Sequence, residues 1–208
     1  PGYEVEHHPQ LVQDIVRRGH EIGHHGYLHE PQASLTAEQE EELLDRAIGI
    51  IETLTGTKVV GNRSCSLDPS ERTLQLLADR GFVYDSSLLT SDAPYLVDAG
   101  DGQKLVELPT HWEIGDAPYF PYVPYLGVRS TLSSQDAVYS VWKEAFDYLH
   151  ALGDSSFSLL THPQYSGRPS RLSMLERFIG YMRSSSHVEF MRMVDGAQLW
   201  QRENVKRD

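Results

Sequence analysis

Four of the chain's ten histidines, His20, His24, His25 and His29, fall within ten positions of the run GHEIGHHGYLHE at residues 19–30. Neutral imidazole carries a lone pair at physiological pH, so histidines crowded in this way suit metal ligation. His25 and His29 stand four apart, and on a helical turn or tight loop both rings can point at one ion. A solvated histidine-rich loop is the competing reading of the pair alone. His20 precedes the adjoining strand candidate and reads as structural. His7, His8 and His150 flank helices and take no role. Further along, Arg63, Asp85, His111 and His162 each carry chemistry of their own: a fixed cation, a carboxylate and two proton carriers.

The elements around these residues follow an alternating pattern. A first helix follows Pro9, with Leu11, Val12, Ile15 and Val16 on one stripe, and stops at Gly19. A second opens with a capping box, Thr36 with Gln39 three residues on, turns Leu43, Leu44, Ala47, Ile48, Ile51 and Leu54 inward, and ends at Gly56. Asp68, Pro69 and Glu71 predict the start of a third helix that closes at Gly81, which makes Asp68 an N-cap rather than a catalyst. Val138, Val141, Trp142, Ala145, Phe146 and Leu149 mark a fourth after Ser133 or Ser134; Leu172, Leu175, Ile179 and Met182 a fifth; Ala197, Leu199 and Trp200 a last. Strand candidates lie between them at 21–23, 58–60, 82–84, 105–108, 157–160 and 188–191.

Strand and helix in alternation predict a parallel sheet or an α/β barrel. A full barrel takes about 250 residues, so the 208 here are expected to lack one or two βα units at the front. Such barrels build their sites from the strand ends and the loops after them. The residues just past five successive strand candidates are His24 and His25, Arg63, Asp85, His111 and His162. One end of each of five successive strands thus delivers a titratable or cationic side chain, which points to a catalytic mouth. Asp85 could instead cap the turn at Ser86 and Ser87, and His111, between Thr110 and Trp112, could be a packed polar residue. The aromatic, proline-rich segment 116–129 has no period; it could wall a sugar-shaped substrate, meet another subunit, or cover core.

The net charge of −12 is dispersed, and such a surface repels phosphate backbones, so neither nucleic acid nor anionic membrane is an expected partner. No apolar run reaches membrane-spanning length and no signal-peptide pattern is present, so a cytoplasmic location is expected. Cys65 is the only cysteine, so no internal disulfide can form. No linker or repeat divides the chain, and a single domain over residues 1–208 is expected.

In these motifs the sequence resembles the polysaccharide deacetylase family (carbohydrate esterase family 4, the nodulation-protein-B-homology domain). GHEIGHHGYLH is similar to its second motif, whose two zinc-binding histidines match His25 and His29. Asn62-Arg63-Ser64 resembles the third motif, whose arginine orients a catalytic aspartate. Tyr84-Asp85-Ser86-Ser87 and Glu107-Leu108-Pro109 resemble the strand ends that follow. Thr161-His162-Pro163-Gln164, with Gly167-Arg168-Pro169-Ser170, resembles the last motif, whose histidine is the general acid. The forms HHGYLHE and HPQ-x-x-GRPSR resemble the branch of peptidoglycan-deacetylase-like proteins, allantoinases of this fold and cyclic imide hydrolases. Cys65 and Leu67 depart from that branch, which usually shows proline and an aromatic there.

The resemblance implies a distorted (β/α) barrel, often oligomeric, so a homo-oligomer is expected. It implies hydrolysis of a non-peptide amide C–N bond, dependent on Zn2+ or another divalent metal held by His25 and His29. A third ligand and the general base, both aspartates, are expected upstream of Pro1. Arg63 would hold that base and His162 would protonate the leaving amine, with Asp85, Glu107, His111 and Trp112 as candidate substrate contacts. The substrate would be a small molecule or glycan carrying an amide. Ring opening of a ureide or cyclic imide, with or without metal, is the alternative on the same fold. A catalytically silent binding protein is the alternative of another class.

Overall fold

A computed structural model describes residues 1–121, 132–153 and 155–205. In chain order the elements are α1 (Gly2–His7), α2 (Pro9–Arg17), α3 (Ala37–Thr55), β1 (Gly61–Asn62), α4 (Thr73–Asp79), β2 (Tyr84–Asp85), β3 (Tyr95–Gly100), β4 (Gln103–Glu107), α5 (Gln135–Leu152), α6 (Pro163–Ser166), α7 (Pro169–Ser184) and α8 (Met193–Asn204). They fall into two compact units. The first holds Pro1–Pro109 with Met191–Asp208, the second Thr110–Phe190. No described helix is long and apolar enough to cross a membrane.

The first unit is built on a four-stranded sheet in the order β1-β2-β4-β3. β1, β2 and β4 run parallel and β3 pairs antiparallel on the edge. His24 joins β1 as a further parallel partner through Asn62, which continues the row by one position. α3 carries the capping box expected at Thr36 and Gln39 and ends at Gly56. Leu44 and Ile51 from α3 meet Val59, Leu76, Leu77, Phe82 and Leu105 in one core. Tyr84, Val106, Leu108 and Ala197 form a second core under α8. The chain here is mixed α/β with a parallel-rich sheet, as the alternating pattern predicts.

Three expectations need correction. β1 and β2 are two residues long and start two to three residues later than predicted, at or just beyond the ends of the apolar runs, while β4 starts two residues earlier than its candidate. β3 was not anticipated, although Val97 and Ala99 pack into the first core; the signal lay in the turn. Asp101 and Gly102 both adopt positive φ, 49° and 76°, as a two-residue hairpin requires. The third helix begins at Thr73 rather than near Asp68. Ser66 and Leu67, both left-handed at φ 57° and 54°, turn the chain first, so Asp68 caps no α-helix.

In the second unit, Trp142 and Phe146 of α5 pack with Phe178 of α7 and with Phe120 in an aromatic core. Ser134 caps α5 by accepting the Ala137 N–H. The predicted strand at 157–160 is reduced to one parallel pairing of Leu160 with Gly115, and 188–191 forms no strand. The proline-rich segment is described only to residue 121; its remainder lies outside the described residues.

Candidate functional site

One row of polar residues crosses the sheet of the first unit. Asn62, Asp85 and Glu107 are register partners on β1, β2 and β4, and His24 pairs with Asn62. All four are buried. His24 Nδ1 donates to Asn62 Oδ1 at 2.6 Å, and Asn62 Nδ2 donates to Asp85 Oδ1 at 2.6 Å. Ser87 gives Asp85 both its N–H and its hydroxyl, and the Leu88 N–H donates to Glu107. Burial pushes both carboxyls above their ordinary range, and for Glu107 the neighbouring Asp85 charge adds to it. With 0% exposure, Asp85 and Glu107 lock the strand ends and offer no surface to a ligand.

The next row carries the expected metal chemistry. His25 Nδ1 donates to the Arg63 carbonyl at 2.6 Å. A carbonyl can only accept, so Nδ1 holds the proton and Nε2 keeps its lone pair. Burial pulls the His25 ring down to about 4, so it stays neutral over the physiological range. His29, exposed and left-handed at φ 66°, faces the His25 ring at 4.9 Å between centroids. Glu30 fixes the intervening loop by accepting the N–H groups of Tyr27 and Leu28.

Cys65 completes the corner. One ring nitrogen from each of His25 and His29 and the Cys65 sulfur all lie within 4.8 Å of one another. Cys65 is fully buried, and burial, with the Glu30 charge second, pushes its thiol up to about 12. This donor set, two imidazoles and a thiol, fits a divalent ion such as zinc. Arg63 lies beside it with Nε and Nη2 donating to the Ser86 carbonyl and hydroxyl at 3.0 and 2.7 Å.

In the second unit the expected proton donor has a partner that sequence reasoning missed. Asp116, wholly buried, accepts His162 Nδ1 at 2.6 Å, the His162 N–H at 2.7 Å and the Ser166 hydroxyl at 2.6 Å. The Asp116 N–H donates to the Leu160 carbonyl, which sets the carboxylate at the end of the one parallel pairing here. His162 begins α6 and remains one-quarter exposed at its side chain. Nothing around Asp116 in the sequence announced it: Trp112-Glu113-Ile114-Gly115 before it is neither an apolar run nor a strand candidate. His111 and Trp112 lie at a short 3-10 turn in this unit, His111 half-buried and the Trp112 indole exposed.

The model of the polysaccharide deacetylase family matches residues 2–84. A peptidoglycan deacetylase of Helicobacter pylori is 30% identical over 215 residues, covering 92% of this chain and 73% of that protein. The chain belongs to the polysaccharide deacetylase family. Among solved structures, a Mycobacterium smegmatis protein assigned to the polysaccharide deacetylases superposes with a TM-score of 0.93 at 33% identity, over 99% of this chain and 71% of that one. The PuuE allantoinase superposes at 0.84 and 29% identity, over 99% of this chain and 67% of its own. These relatives are barrels of the polysaccharide deacetylase type, the fold class that the family resemblance implied. Membership makes the chain a hydrolase of carbon–nitrogen amide bonds, in a family that generally depends on a divalent metal.

Proposed function

We propose that this chain deacylates an amide-bearing glycan, with His25 and His29 holding a divalent ion, zinc by the chemistry of the donors. The observation that carries the reading is the convergence of two imidazoles, His25 and His29, with the His25 lone pair on Nε2 fixed by the bond from its Nδ1 to the Arg63 carbonyl. A divalent ion at that corner would supply Lewis acidity toward the amide carbonyl and the attacking water. Arg63, fixed on Ser86, is a positioning residue that presents positive charge at the strand ends and would hold a carboxylate base. His162 gives its Nδ1–H to Asp116, so Nε2 is the nitrogen left to carry a proton to the leaving amine. The exposed Trp112 indole, with His111 beside it, suits stacking on a sugar ring. Relatives aligned over 92% of the chain support its working as one catalytic domain.

The test follows acetate release from N-acetylglucosamine oligomers. Release is expected from the wild type and is lost on chelation and in His25→Ala. Release that survives both treatments removes the reading. Likeness to an allantoinase favours a second one, opening of a cyclic ureide. Turnover of allantoin, with none of the acetylated oligomers, would select it.

A further inference from the structure

We propose that His24 and Gln32 hold one buried water between them, and that this water clasps the two ends of the loop that carries His25 and His29. Neither residue belongs to the site proposed above, so the clasp stands whether or not an ion binds there.

Two side chains of the first unit each bury a polar atom that has no partner among the described residues, and they line one cavity. The atoms are His24 Nε2 and Gln32 Nε2. Both residues are more than nine-tenths buried, at 5% and 4% exposure. The cavity they share has a volume of about 10 Å3, and its other walls include Glu30, Glu40, Leu44 and Leu77. A buried polar atom left unpaired is costly. The cavity offers about the room that one water needs, and no more.

The two atoms have opposite needs. Asn62 Nδ2 donates to Asp85 Oδ1 at 2.6 Å, so the Asn62 amide presents its oxygen to His24. His24 Nδ1 therefore carries the proton, burial favours the neutral ring, and Nε2 is left as a lone pair. Gln32 Oε1 accepts the Cys65 N–H at 3.2 Å, which makes the buried Nε2 a donor. One atom needs a hydrogen and the other offers one. A water satisfies both: it donates to His24 Nε2 and accepts from Gln32 Nε2. Its second hydrogen has the carboxylates of Glu30 and Glu40 in the same walls. A metal ion or an ammonium has no lone pair for the Gln32 amide and would leave that donor unpaired.

The two residues stand at the feet of the loop. His24 is fixed to β1, with its N–H on the Gly61 carbonyl at 2.8 Å and its carbonyl taking the Arg63 N–H at 3.0 Å. Gln32 opens the short 3-10 turn Gln32–Ser34 and reaches Cys65 through its Oε1. Between them lie His25, His29 and the left-handed positions of Gly26 and His29. A water bonded to both feet closes this loop at its base.

The full-length protein is crystallised as wild type, Gln32→Leu and His24→Phe. Water-oxygen magnetic relaxation dispersion counts the long-lived waters of each in solution, and circular dichroism checks that each is folded. The wild type is expected to show one water within about 2.7–3.2 Å of both His24 Nε2 and Gln32 Nε2. Each variant is expected to lose that water from the crystal and one long-lived water from the count. Amide exchange across residues 25–31 should quicken by about tenfold in both variants, whose shared loss is the water. A dry cavity, a direct bond between the two side chains, or a protein donor on His24 Nε2 in the wild type overturns the proposal, even where a variant fails to fold. Exchange unchanged in the folded variants overturns the clasp.

Discussion

The two units each fix a histidine, and they do so by opposite means. In the first, His25 gives its Nδ1 proton to a backbone carbonyl and is buried until its ring falls to about 4. In the second, His162 gives the same proton to a buried carboxylate, Asp116, which also takes the His162 N–H and the Ser166 hydroxyl. A carbonyl orients a ring without stabilising its cation, so His25 is kept as a neutral lone-pair donor. A buried carboxylate orients the His162 ring through Nδ1 and leaves Nε2 outside that bond. The same residue type is thus anchored through the same nitrogen by oxygens of different charge, and the proposed split between ligation and proton transfer rests on that difference.

The largest effect separates the two roles. His162→Ala should lower kcat by about 10^2–10^4-fold while leaving bound metal unchanged. Loss of metal in that variant would erase the distinction. A smaller loss, about 10–100-fold in kcat with KM held, is expected of Asp116→Asn, which can donate to Nδ1 and favour the wrong tautomer. Steady-state kinetics on the acetylated oligomers reads both.

The carboxylates sharpen the comparison further. Asp116 takes its donors from His162 and Ser166, whereas Asp85, though it too accepts three hydrogen bonds, is buried against a second carboxyl, Glu107, and the two are pushed upward together. The folded pair holds a proton that the unfolded chain releases above about pH 4.3. Stability therefore falls as pH rises above the ordinary carboxylate range and levels only once Glu107 ionises in the folded pair, at about 9. Glu107→Gln should flatten that fall, on the order of 1–2 kcal/mol or about 2–8 °C in Tm, as read by thermal unfolding across pH. A slope unchanged in the variant would mean that the pair does not share a proton.

Local signals were legible and distant partnerships were not. The Thr36–Gln39 box and the apolar stripe of α5 specify their helices within a few residues, and the structure reproduces both. His25, His29, Arg63 and His162 stood out because imidazole and guanidinium recur at successive strand ends. Asp116 stayed hidden because its partner is 46 positions away and nothing in its neighbours announces a buried carboxylate. Cys65 was visible only as a departure from a family pattern. Its place beside His25 is made by the turn at Ser66 and Leu67, a backbone choice that their residue types do not favour. The row His24–Asn62–Asp85–Glu107 likewise needed the register of three strands, two of them only two residues long.

Metal content settles the central claim, that His25 and His29 hold an ion and His162 does not. Elemental analysis of wild type, His25→Ala and His162→Ala, purified side by side, should give one divalent ion per chain in the first and third and none in the second. Equal content in all three would contradict it.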